Sequence, residues 1–267
     1  MEIKNFYCDE NEKPLDRICE NGGTTAIFRS IACIGDSLAS GEFQLPKKDG
    51  GYSYHDLYEY SWGQFIARMT GSLVYNFSIG GMTAKGYCEK FADERKLWNR
   101  DKAAQCYIVA LGVNDVTNII QKKLQFGSMS DIAENYRDNR ETFVGYYAKI
   151  IARYKEISPY AKFFLVTCPK GSKEREKFYD IHSKLIYDIA DYFDNTYVID
   201  LRKYGPEYDD KFKEAFYLYG HMTPAGYLYT AKIISSYIDY IIRKNPKDFK
   251  TVGLINTELQ DRINDIC

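Results

Sequence analysis

Five short apolar runs punctuate the chain, at residues 31–34, 73–77, 106–111, 162–167 and 197–201. Each is nearly all-apolar rather than alternating, the pattern of parallel strands covered on both faces. Helical periodicity fills the intervals. Tyr58, Trp62, Phe65 and Met69 recur at steps of four, three and four, as do Phe143, Tyr147, Ile150, Tyr154 and Ile157 further on. Tyr227, Ala231, Ile234, Ile238 and Ile241 mark a third helix, with Thr223 as its N-cap and Pro224 at its first position. These stripes read as core faces. The alternation predicts an α/β chain: a three-layer α/β/α sandwich around a flavodoxin-like, five-stranded parallel sheet with right-handed crossovers. Ligands then belong outside the carboxyl ends of the strands.

No linker, repeat or low-complexity tract interrupts this pattern, so one domain is expected over residues 1–267. Residues 1–27 form an N-terminal extension or cap, or an edge hairpin, turning at Asn21-Gly22-Gly23. Residues 28–242 form the core and 243–267 a docked tail. Residues 41–55 read as a loop. The 45% hydrophobic content suits a full core, and the net charge of −1 gives no global field for nucleic acid or an anionic membrane. No run approaches the roughly 18 apolar residues of a membrane span. The start lacks the basic and apolar stretches of a secretory signal. Seven cysteines with no CxxC pair, three of them (Cys33, Cys106, Cys168) in or beside apolar runs, read as reduced thiols. The expected compartment is the cytoplasm, or outside the cell if a leader was removed. The 25 tyrosines could serve a sugar-stacking surface, but ordinary core and rim duty is the preferred reading.

The candidate chemistry lies where strands end. Gly35-Asp36-Ser37-Leu38 follows the first apolar run and leads into small residues. A strand there delivers a serine to a helix start, where converging N–H groups favour negative charge. Such a serine can act as a nucleophile. Asn76-Phe77-Ser78-Ile79-Gly80-Gly81-Met82-Thr83 ends the second run, and its glycine pair lets the backbone bring an N–H close to a ligand. Gly112-Val113-Asn114-Asp115 ends the third. There the Asn114 amide can donate to an oxyanion, or simply close an Asx-turn. Gly220-His221-Met222-Thr223-Pro224 leads into the last helix and places a histidine on a loop. Of the other two histidines, His55 is a rival base or rim residue near the serine, and His182 reads as a surface or boundary residue. No metal-ligand spacing and no nucleotide-binding motif occur, so no cofactor is expected.

Together the four segments resemble the SGNH (GDSL-type) hydrolases, whose four blocks run in this order. The match comprises Gly35-Asp36-Ser37-Leu38, then Asn76, Gly81 and Thr83, then Gly112 and Asn114, then His221 with Pro224 and Gly226, over about residues 28–242. Two departures stand out. Ser78 and Gly80 occupy positions where Gly and Ser are usual. Leu218 stands where the family has an aspartate three residues before the histidine.

The resemblance implies a serine esterase acting on short-chain acyl esters, O-acetyl groups on carbohydrates among them. Ser37 would attack, His221 would be the base, and the oxyanion hole would comprise the N–H of Ser37, the N–H of Gly81 and the Asn114 amide. Glu214, Asp209 or Asp210 could replace the missing aspartate, or His221 could lean on a backbone carbonyl. The alternatives are a thioesterase or lysophospholipase on longer chains, and a non-catalytic ligand-binding member. The expected partner is a small-molecule or carbohydrate ester, without nucleic acid or a membrane span.

Overall fold

The computed structural model describes residues 6–260 apart from residue 172, together with residue 262. Five parallel strands form the central sheet: β1 (Ser30–Gly35), β4 (Leu73–Ser78), β5 (Cys106–Ala110), β6 (Lys162–Val166) and β7 (Thr196–Ile199). They lie in the order β4-β1-β5-β6-β7. Cys33 pairs with Asn76 on one side and with Ile108 on the other. The order reverses direction at β1, so the ends of β1 and β5 flank the crevice in which such sheets bind ligands. The strands read as unbroken apolar runs because both faces are covered. Ala32, Ile34, Tyr107, Val109, Phe163 and Leu165 belong to one core; Ile31, Cys33, Cys106, Ile108 and Phe164 belong to the other.

The first core is covered by α6 (Phe143–Ile157) and α7 (Glu176–Tyr192), with a helical stretch made of α3 (Ala84–Gly86), a π-helical turn at Tyr87–Phe91 and α4 (Ala92–Glu94). The second is covered by α2 (Trp62–Thr70) and α10 (Pro224–Lys244). Shorter helices finish strand ends, α1 (Ser37–Ser40), α5 (Val113–Ile120) and α8 (Leu201–Tyr204), and α9 (Asp210–Phe216) follows α8. Thr223 caps α10, its hydroxyl oxygen accepting from Gly226 N–H at 3.2 Å.

Three local expectations need correction. Helix α2 starts at Trp62, not Tyr58, because the Ser61 hydroxyl accepts from Gln64 N–H and caps it there. Its buried positions are Trp62, Gly63 and Ile66, while Phe65 is only partly covered. The N-terminal region makes no edge hairpin among the described residues. It turns at Asn21, Gly22 and Gly23, all at positive φ, and docks on α10 through Thr24–Asp239 and Glu12–Arg243 contacts. The stretch 41–55 is not a loop but an antiparallel hairpin of β2 (Glu42–Pro46) and β3 (Tyr52–Asp56). A second, minimal hairpin joins β8 (Tyr217–Leu218) to β9 (His221–Met222), with Leu218 opposite His221. The segment after α10 folds back over the second core, burying Phe249, Val252 and Ile255.

Candidate active site

The β1 strand ends at Gly35, and the chain turns immediately into α1. Asp36 caps that turn, its Oδ1 accepting from Leu38 N–H at 3.1 Å. Gly35 is needed because a Cβ there would meet Ala39 Cβ at 2.6 Å. Ser37 is thereby carried to the sheet's carboxyl edge. It lines a cavity of about 350 Å³ together with Asn114, at the start of α5, and His221, on β9. Three segments separated by dozens of residues therefore meet at one rim. A smaller apolar cavity of about 70 Å³ shares Asp36 and Leu38 with it, so the residues on either side of Ser37 line both spaces.

Asn114 Nδ2 donates to Asp36 Oδ2 and to the Met82 carbonyl, each at 3.2 Å. Both amide hydrogens are thus engaged within the resting site. Burial raises the Asp36 carboxyl to about 6. The neighbouring Asp115 is buried too, accepts from Ala84 N–H at 2.9 Å, and is pushed to about 7 by burial. Its role is to hold the start of α3, next to the glycine turn. Gly81 adopts φ +72°, the left-handed region that glycine enters without penalty, and has open space around it.

The imidazole of His221 is held by groups the sequence reading passed over. Nδ1 lies 3.3 Å from Gln44 Oε1, and Nε2 lies 3.0 Å from Glu42 Oε1. Both come from β2, where positions two apart share a face. Asp209, Asp210 and Glu214 do not stand in for the missing aspartate. Asp209 caps α9 by accepting from Phe212 N–H at 2.8 Å, and all three carboxylates are exposed. The reason is spatial: the β2–β3 hairpin, not α9, lies beside β9. A signal for this existed. Glu42-Phe43-Gln44-Leu45 alternates polar and apolar residues before a turn containing Asp49-Gly50, which is hairpin chemistry.

Among the described residues, Ser37 Oγ makes no hydrogen bond to His221. Burial lowers the proton affinity of His221, and it raises Glu42 to about 7, helped by the negative charges of Asp56 and Asp36. Both shifts favour a neutral pair over an ion pair at the 3.0 Å contact. His55 sits on the exposed face of the hairpin, its Nε2 3.0 Å from Ser53 Oγ, and does not line the Ser37 cavity. His182 is not a surface residue. It is fully buried, 3.3 Å from the Leu111 carbonyl, and burial depresses it to about 4. It packs against Gly112, where a Cβ would meet its Nε2 at 2.2 Å.

The GDSL-like lipase/acylhydrolase model matches residues 31–234, a span that contains Ser37, Asn114 and His221. The chain belongs to this family. It is accordingly a hydrolase of ester bonds. No curated protein matches it. Its fold is shared with solved carbohydrate esterases. A family two carbohydrate esterase from Clostridium thermocellum, solved with cellohexaose, aligns at TM-score 0.56 and 15% identity, over 86% of this chain and 66% of its own. An acetyl xylan esterase aligns at TM-score 0.53 and 18% identity, over 78% of this chain and 99% of its own. A protein from Lactobacillus plantarum aligns at TM-score 0.56 and 17% identity, over 79% and 97%. No helix among the described residues is long and apolar enough to cross a membrane.

Proposed function

We propose that this GDSL-family hydrolase cleaves short-chain acyl esters, O-acetyl groups on carbohydrates among them, through a Ser37 acyl-enzyme. The observation that carries this reading is the convergence of Ser37, Asn114 and His221 on one cavity. His221 removes the Ser37 hydroxyl proton while Oγ attacks the ester carbonyl. The developing oxyanion is received by the N–H groups of Ser37 and Gly81 and by the Asn114 amide, once that amide turns from Asp36. His221 then protonates the leaving alcohol, and water releases the acid by the reverse steps.

Two features support a small acyl group on a sugar. The apolar space that Asp36 and Leu38, on either side of Ser37, line behind the open cavity is about 70 Å³, a size that suits an acetyl group better than a long chain. Beside His221 stand three exposed rings, Tyr52, Tyr54 and Tyr219. Tyr54 meets the imidazole edge-on at 5.8 Å, and Tyr52 lies 5.8 Å from Tyr219. Exposed apolar patches mark ligand surfaces, and the C–H faces of a pyranose fit such rings.

The test is turnover of p-nitrophenyl acetate, butyrate and octanoate, followed by acetylated xylan. Activity that falls with chain length supports the reading. A preference for octanoate points to a lysophospholipase or thioesterase, and no turnover at all to a ligand-binding member. Ser37→Ala should abolish turnover while leaving the melting temperature nearly unchanged; wild-type turnover in that variant refutes the assignment.

A further inference from the structure

We propose that the β2–β3 hairpin supplies the groups that position and charge-balance His221, with Gln44 holding Nδ1–H and the Glu42 carboxyl serving Nε2. This rests on the reading of His221 as the base. Leu218 sits where the family's aspartate would; it pairs with His221 across the β8–β9 hairpin and is exposed, and an aliphatic side chain cannot accept a hydrogen bond from the ring. The orienting role therefore has to come from elsewhere.

Gln44 Oε1 can only accept, so the 3.3 Å contact makes Nδ1 the protonated nitrogen and leaves Nε2 as the basic one, its lone pair facing the Glu42 carboxyl in the resting site. A neutral carboxamide can fill this role, as the Cys-His-Asn arrangement of papain-like proteases shows. A carboxamide brings no negative charge, however, and an imidazolium forming at His221 needs one. Glu42 provides it from the other side, 3.0 Å from Nε2.

Two glycines make room for this arrangement. A Cβ on Gly80 would stand 2.1 Å from Glu42 Oε2, and a Cβ on Gly220 would stand 2.1 Å from Gln44 Oε1. Gly80 is also one of the positions where the chain departs from the family pattern, so that departure and the loss at residue 218 fit together. The hairpin itself is anchored, because the Tyr227 hydroxyl donates to the Glu42 carbonyl at 2.6 Å and the Ser40 hydroxyl donates to Asp56 Oδ1 at 2.5 Å.

In the resting site the Glu42 carboxyl donates its O–H to Nε2. Loss of that proton to solvent leaves a carboxylate beside a neutral imidazole. As Oγ bonds to the acyl carbon, the Ser37 proton then passes to the Nε2 lone pair that the Glu42 proton has vacated. The Glu42 carboxylate beside the ring balances the imidazolium until that proton goes to the leaving alcohol. The charged and titratable groups around the pair are Asp56 from β3 and Asp36 before α1. Lys170, Lys213, Tyr179, Tyr208 and Tyr217 line the same cavity. The acid limb of kcat/KM should therefore follow Glu42, which is raised to about 7.

Four variants test this, assayed on p-nitrophenyl acetate from pH 5 to 9. Glu42→Gln should move the acid limb to lower pH, because the lowered His221 then sets it alone, and should reduce the alkaline plateau roughly tenfold to a hundredfold with KM little changed. Gln44→Ala should lower kcat by a similar factor, and Gln44→Glu should retain more activity than Gln44→Ala. Gly80→Ala displaces Glu42 without altering its chemistry, so it should reproduce the pH shift and add nothing to Glu42→Gln. An unchanged pH profile in Glu42→Gln together with an unchanged kcat in Gln44→Ala overturns the proposal. If the wild-type chain turns over no ester, the esterase reading has failed. The contact is then tested by the imidazole proton resonances, assigned with His221→Ala. Glu42→Gln should lower the His221 titration midpoint by roughly one unit, and no change in that midpoint overturns the inference.

Discussion

Asn114 shows how one side chain can hold two assignments. In the resting site its amide bonds Asp36 and the Met82 carbonyl, each at 3.2 Å, which is what a structural turn residue would do. Yet it lines the cavity with Ser37 and His221, where an oxyanion donor is required. The two roles separate kinetically. Asn114→Ala should lower kcat for p-nitrophenyl acetate roughly a hundredfold if the amide receives the oxyanion. Loss of its two resting hydrogen bonds alone should cost only about 1 kcal/mol each in stability. An unchanged kcat with a lower urea midpoint returns the residue to its structural role. Ser37 and Asn114 were legible at this scale because each sits just past a strand end that the apolar runs already marked, and His221 because it directly precedes the capped start of the last helix. His182 was not. A helical histidine among Tyr179, Asp180 and Ile181 gives no sign of burial, and its place under Gly112 follows from how α7 packs against β6 and α5.

At the scale of elements, the least legible was the β2–β3 hairpin. It touches the second core only through Phe43, its strands are mostly exposed, and its alternation was masked by the turn residues Lys47-Lys48-Asp49-Gly50-Gly51. The start of α10 was the most legible, because Thr223 and Pro224 carry local cap chemistry that needs no tertiary partner. That cap also fixes the exit of the chain from His221. Thr223→Ala removes the oxygen that accepts from Gly226 N–H and should cost about 1 kcal/mol, seen as a fall of about 2–4 °C in melting temperature for a domain this size. A larger fall in kcat than in stability would show that the cap also holds the β8–β9 turn in register. No change in melting temperature would show that Pro224 alone suffices to start the helix.

Across the whole molecule, the buried acids set an unusual dependence on pH. Asp36 is raised to about 6, and Glu42 and Asp115 to about 7, chiefly by burial. In the unfolded chain these groups lose their protons near the ordinary carboxylate range. The folded chain therefore holds more protons, and stability falls as pH rises through the folded values. His182, depressed to about 4 from 6.5, acts in the opposite sense, since its neutral form is favoured and stability falls as pH drops from 6.5 towards 4. Just above pH 6.5 the acids dominate, because Lys162, lowered to about 8 by burial, opposes them only towards the upper end of the interval. The urea midpoint should fall between pH 6.5 and 8, and Asp115→Asn should flatten that decline. A midpoint that rises over the interval would contradict these raised carboxyls.

The sequence by itself determined the layered α/β architecture, because five apolar runs alternating with helical stripes leave few other ways to bury both faces of a parallel sheet. It also determined which strand ends carry the serine and the asparagine, since those motifs abut the runs directly, and that the histidine stands just before the capped last helix. Only the tertiary structure decided what stands on the two nitrogens of His221. Gln44 and Glu42 lie 177 and 179 positions away in the chain, and the crossing of a surface hairpin over β9 obeys no local periodicity. Contacts of that separation are written in packing and in the space two glycines leave open, not in the order of residues.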